Sequence, residues 1–177
     1  MADAQLLRVL GPLGVKGGDL LMLHASLRKV GLGRASVGAG GAELLLDALE
    51  AAVGPEGTLM MVLGTDYPMD WVYEHPPEAR AALLAGSPVF DYRNAPVLPE
   101  AGWLAEAFRR RSGTLTSDNP SGRFGARGGL AEALMADQPW DDYYGLGSPL
   151  EKLCKWGGRI LRMGANPDTV TALHFAE

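Results

Sequence analysis

Cysteine is nearly absent from this sequence: Cys154 is the only one in 177 residues. That excludes an internal disulfide and fits a reducing compartment. Long hydrophobic runs are missing too. The longest, LLML at 20–23 and LMMVLG at 59–64, are strand-length, far short of the roughly 20 residues a membrane-spanning helix needs. Positive charge is in short supply, with 16 Lys and Arg against 21 Asp and Glu and a net charge of −5. This argues against nucleic acid as a bulk partner and is compatible with a small polycationic ligand. MADAQLLRVLG has no basic segment followed by an apolar core, so no secretory signal is expected and the location expected is cytoplasmic.

What is present is an ordinary globular mixture, 47 % hydrophobic and 21 % charged, long enough for one domain over 1–177. LLML turns polar at His24. The glycine-rich GLGRASVGAGG (31–41), the amphipathic AELLLDALEAAVG and the apolar GTLMMVLGT follow. Strand, glycine loop, helix, strand is the order of a βαβ unit and predicts parallel pairing. Residues 66–100 hold half of the prolines and scattered aromatics and read as a long, ordered, partly irregular excursion. GWLAEAFRRRSG (102–113) and GLAEALMADQ (129–138) read as helices. In SPLEKLCKWGG (148–158) Ser148 is a helix N-cap, Pro149 occupies the first helical position and Glu151 completes a capping box. RILRMG (159–164) resumes as a strand, and a last helix capped by Asp168 or Thr169 is expected after Pro167. The fold class expected is α/β, a mainly parallel or mixed central sheet flanked by helices.

In that last helix Thr171, His174 and Glu177 are spaced by three, which puts hydroxyl, imidazole and carboxylate on one stripe just beyond a strand's C-terminal end. His174 could serve as a base oriented by Glu177, or the trio could be an ordinary exposed helix face. Spacing alone leaves both readings open. His24 and Ser26 close the first strand as a histidine and hydroxyl that could cap a helix, bind phosphate or form a hydrolytic pair. With no GxSxG elbow in the chain, a hydrolase is poorly supported. The glycines at 31–41 match neither a phosphate-binding GxxxxGK[ST] loop nor a dinucleotide fingerprint. His75 lacks a second ligand at metal spacing, so no metal is expected. Cys154 shares a helix side with Leu150 and Leu153 and reads as buried. Trp71, Trp103, Trp140 and Trp156 read as core or loop anchors, and the many loop carboxylates mostly as solvated faces.

Six blocks taken together resemble the aminoglycoside 3-N-acetyltransferase family, the antibiotic acetyltransferases distinct from the GNAT fold. They are LMLHASLRKVG (21–31), PEGTLMM (55–61), FDYRNAPVLPEAGWLAEAFRR (90–110), SDNPSGRFGARG (117–128), YYGLGSPLEKL (143–153) and GGRILRMGANPDTVTALHFAE (157–177). They occur in the family's order and span nearly the whole chain.

The resemblance implies transfer of acetyl from acetyl-CoA, without a metal, to the 3-amino group of a 2-deoxystreptamine aminoglycoside, conferring resistance. It makes His174 the base on the amine, gives Glu177 a supporting or substrate-contacting role, and sets Thr171 at the developing oxyanion. His24, Ser26 and Arg28 become the coenzyme A contacts, and Asn119 and Asp142 candidates for holding the cationic sugar, joined by Asp66, Tyr67 and Glu100 on position alone. Monomer and homodimer both remain open. Two other readings stand beside it: a same-fold N-acyltransferase acting on another amine, and a non-catalytic remnant that binds coenzyme A. Family members continue past the LHxAE block at which this sequence stops. The 177-residue piece alone is therefore expected to keep the coenzyme side while being weakly active or inactive.

Overall fold

The computed structural model describes residues 4–33, 40–65 and 70–176. The expected βαβ unit is present. Strand β1 (Leu20–Ala25), helix α2 (Gly41–Val53) and strand β2 (Thr58–Val62) follow the short helix α1 (Ala4–Leu10), and β1 runs parallel to β2. On its other side β1 pairs in parallel with β5 (Arg159–Met163). Strand β4 (Phe124–Gly128) pairs antiparallel with β2, and the short β3 (Leu115–Thr116) with β4. The sheet order is β3-β4-β2-β1-β5, so the α/β class is observed in its mixed form.

The apolar runs are continuous because both sheet faces are covered. Side chains alternate across a strand. Leu21, Leu23, Leu59, Met61, Leu161 and Met163 therefore enter one core with α2 and with α4 (Gly102–Arg110), whose Leu104 and Phe108 are buried. Leu20, Met22, Met60, Phe124 and Ala126 enter the other with α5 (Ala131–Met135) and α6 (Pro149–Lys155).

The cap of α6 forms as expected at Ser148, whose buried Oγ accepts from the backbone N–H groups of Leu150 and Glu151 at 3.2 Å each. The Glu151 carboxylate reaches back to the N–H of Gly147 at 2.8 Å, one residue beyond the N-cap. Cys154, by contrast, is exposed. Leu150 and Leu153 face the core, and the next position has already rotated towards the flank where Trp156 and Ile160 are also exposed. None of the four tryptophans is in the core, each being at least 40 % exposed.

The excursion contains a 3₁₀ turn (Asp70–Glu74), helix α3 (Pro77–Ala85) and a second 3₁₀ turn (Pro99–Ala101). Arg123, fully buried at the start of β4, anchors its return. Its guanidinium donates to the carbonyls of Gly64, Tyr92, Ala95 and Pro96 at 2.7–3.0 Å. Burial, reinforced by the nearby Arg109, pulls its pKa down to about 10, so it stays charged with carbonyl dipoles as its hydrogen-bond partners.

Candidate active site

The site is built where β1 ends. Ser26 continues the ladder, its N–H bonding Met163 O at 2.9 Å. The chain then coils back, with Lys29 N and Val30 N both donating to Ser26 O at 3.0 and 3.1 Å. Gly164, just after β5, has φ +67, and a Cβ there would lie 2.9 Å from Lys29 Cβ. A glycine is therefore what lets the two parallel strand ends sit side by side.

Between these ends, the N-terminus of α2 and the 98–104 segment lies a cavity of about 970 Å³. His24, Ser26, Arg28, Glu100 and Thr171 all line it, so one tertiary feature gathers five of the residues singled out in the sequence. It sits at the carboxyl ends of parallel strands, where α/β folds place ligands.

Arg28, Lys29 and the first residues of α2, Gly41 and Ala42, line it. The N-cap, Gly40, makes no side-chain cap bond, and the positive end of the helix dipole lies at the cavity wall. Lys29 is steadied by donating to Asn166 Oδ1 at 2.6 Å. Burial lowers the pKa of His24 from 6.5 and favours its neutral form. Its Nε2 is buried without a hydrogen-bond partner among the described residues. A buried polar atom left open on a cavity wall is a position that a ligand group completes.

The terminal segment is not the α-helix the sequence suggested. It forms two 3₁₀ turns, Pro167–Thr169 and Thr171–Phe175. Neither Asp168 nor Thr169 caps it; Asn166 holds the N-cap position without a side-chain cap bond, and Thr169 Oγ1 donates back to Asn166 O at 2.7 Å. In a 3₁₀ turn residues three apart eclipse, so His174 still lies directly over Thr171. Thr171 faces the cavity, whereas His174 is exposed outside its lining, its ring stacked on Tyr144.

The other residues named from sequence scatter. Glu100 is exposed on the cavity rim. Asn119 is buried, and its amide is committed to the backbone of residues 121, 122, 139 and 140, so it braces two loops. Asp142 is exposed and accepts from Leu146 N at 3.3 Å across its own turn. Asp66, Tyr67 and Glu177 lie outside the described residues. Lys29 and the α2 N-terminus line the cavity without having been singled out, and so does Trp103, read from sequence as a core or loop anchor. Only Lys29 had a sequence signal, as the cation beside Arg28.

Fold and cavity together define an α/β protein with an open cavity at the carboxyl ends of its parallel strands. The chain belongs to the aminoglycoside 3-N-acetyltransferase family, whose model matches residues 22–177. Aminoglycoside N(3)-acetyltransferase VIII of Streptomyces fradiae is 41 % identical over 98 % of this chain and 59 % of its own length. Among solved structures, an AAC-IIIb enzyme in binary complex with CoASH superposes with TM-score 0.83 at 36 % identity, over 99 % of this chain and 64 % of that one. An AAC-VIa enzyme bound to sisomicin superposes with TM-score 0.86 at 37 % identity over the same shares. The chain thus spans about three fifths of the relatives it matches.

Proposed function

We propose that this chain forms the coenzyme-binding part of an acetyltransferase that acylates the 3-amino group of a 2-deoxystreptamine aminoglycoside. The observation that carries this reading is the single cavity that brings together His24, Ser26, Arg28 and Thr171, with His174 one turn further on. When bound there, acetyl-CoA would supply the acetyl group as a thioester. Arg28, Lys29 and the α2 N-terminus hold its phosphates, since a guanidinium and open helix N–H groups suit phosphate oxygens. Ser26 and the open Nε2 of His24 take amide or carbonyl groups of the pantetheine arm. Thr171, on the wall, donates to the acyl oxygen as negative charge builds there.

His174 takes the proton that an ammonium must lose before its nitrogen can attack a carbonyl carbon. Glu177 supports that base, and Asp66, Tyr67, Glu100 and Asp142 supply polar contacts to the sugar. Asn119 acts on the sugar through the loops it braces. The cytoplasm is the location that suits such an enzyme.

Calorimetric titration of the chain with coenzyme A, followed by turnover assays over a panel of aminoglycosides and other amines, tests the reading. Coenzyme A should bind, and Arg28→Ala should weaken binding about tenfold, the loss of one charge-assisted phosphate contact. His174→Ala should abolish any turnover while leaving that affinity within about twofold. Coenzyme binding that is indifferent to Arg28 would overturn the cavity assignment, and turnover of other amines alone would move the substrate class.

A further inference from the structure

Helix α2 carries Glu43, Asp47 and Glu50 at spacings of four and three, so their carboxylates form one row along its flank. Like charges so placed repel, and two arginines from elsewhere in the chain answer them. Arg111, the residue that ends α4, donates from Nε and Nη2 to Glu43 Oε2 at 3.2 and 2.9 Å. Its Nη2 also donates to Asp47 Oδ1, and its Nη1 to Glu50 Oε1 at 2.8 Å. Arg127 of β4 reaches the same Glu50 oxygen through Nε at 2.9 Å. The Arg111 side chain is only 15 % exposed. A single surface ion pair contributes little, but a half-buried fork engaging three carboxylates at once fixes the whole row.

Both helices begin on the main cavity. Gly41 and Ala42 open α2 and line it, and Gly102, Trp103 and Leu104 open α4 and line it too. Their apolar faces enter one core, through Leu45, Leu46 and Leu49 on α2 and Ala105 and Phe108 on α4. Apolar burial is non-directional, whereas the bonds of the Arg111 fork are directional and set how far α2 stands along α4. Charge acts at the same place. Glu43 follows Ala42 directly, so its carboxylate adjoins the wall proposed to hold phosphate. Three carboxylates against two guanidiniums leave the row with one net negative charge. Without Arg111 the row would carry two, beside a site that has to accept an anion.

We propose that Arg111 is a positioning residue for coenzyme binding: it holds the carboxylate row of α2 against the end of α4 and keeps the start of α2 open to the coenzyme's phosphates. The inference rests on the coenzyme reading of the cavity proposed above. Arg111 acts on that site through α2, without touching the ligand.

Calorimetric titration of the chain and its variants with coenzyme A tests this. Arg111→Gln should weaken binding about fivefold, the order expected when one neutralising charge near a phosphate is lost. In about 0.5 M salt the difference from the parent chain should fall to within about twofold, which a merely structural defect would not do. Arg111→Lys keeps the charge and should hold affinity within about twofold of the parent, and Glu43→Gln added to Arg111→Gln should recover most of the loss. Arg110→Gln makes the same change of net charge at a residue that pairs with Glu106 instead, and it should leave affinity within about twofold. An Arg111→Gln chain that binds like the parent, a loss that salt does not reduce, an equal loss from Arg110→Gln, or a double variant no better than the single overturns the proposal while the coenzyme reading stands. Should Arg111→Gln fail to fold, Glu43→Gln alone decides: it should tighten coenzyme A about twofold, and no gain overturns the proposal. A parent chain that does not bind coenzyme A brings down the coenzyme reading and this inference with it.

Discussion

The imidazole of His174 lies flat against the ring of Tyr144, centroids 5.4 Å apart and planes 9° from parallel. Tyr144 packs edge-on against the buried Phe124, at 5.7 Å and 70°. An exposed histidine on a terminal turn is thereby registered to the sheet core through two aromatic contacts. On the role proposed for His174 as base, Tyr144→Ala should lower kcat about tenfold, because a base displaced by an ångström loses much of its effect, while KM for acetyl-CoA stays unchanged. Tyr144→Phe keeps the stack and should restore kcat. Steady-state kinetics on the three proteins checks this, and equal loss in both variants would assign the effect to the hydroxyl instead.

His24 should give the fold an acid-sensitive component. Burial lowers its folded-state pKa below the ordinary 6.5, so the unfolded chain binds the proton more readily. The stabilisation is therefore complete above about pH 6.5 and declines as pH falls from there towards the folded-state value. Denaturant melts of the chain and of His24→Gln between pH 5 and 8 should show a shallower acid decline in the variant. Parallel pH profiles would remove His24 as the cause.

Glu106 titrates at the opposite extreme. The side chain of Arg109, at 3.0 and 2.8 Å, is the chief cause, joined by Arg110 and the Val97 N–H; together they outweigh its burial and draw its carboxyl down to about 2. Stability from this group is present above its ordinary 4.5 and lost as pH falls towards 2. Glu106→Gln should cost about 2 kcal/mol at pH 7, and the difference should shrink progressively below pH 4.5. Urea melts at pH 7 and pH 3 would check both statements.

Arg123 is the residue on which the excursion most depends. Arg123→Met would leave the carbonyls of Gly64, Tyr92, Ala95 and Pro96 without their buried donor, at a cost of about 3–5 kcal/mol. That should lower Tm by about 10 °C, measured by calorimetry. Arg123→Lys should recover only part of the loss, since an ammonium has three donors and no fork.

The sequence by itself determined the elements whose signals are local. Apolar runs of strand length marked β1 and β2, glycine and amphipathic periodicity marked α2, and the Ser148–Pro149–Glu151 pattern marked α6, because each reflects backbone propensity or a cap closed within four residues. Six collinear blocks carried the family. Only the tertiary structure decided the relations between segments distant in the chain. It gathered Arg28, Glu100 and Thr171 around one cavity, turned the final helix into 3₁₀ turns over Tyr144 and left Cys154 on an uncovered flank. It also committed Asn119 to bracing loops and Arg123 to backbone carbonyls. Burial and hydrogen-bond partnership depend on what another segment brings alongside, and that information is absent from any local window of the sequence.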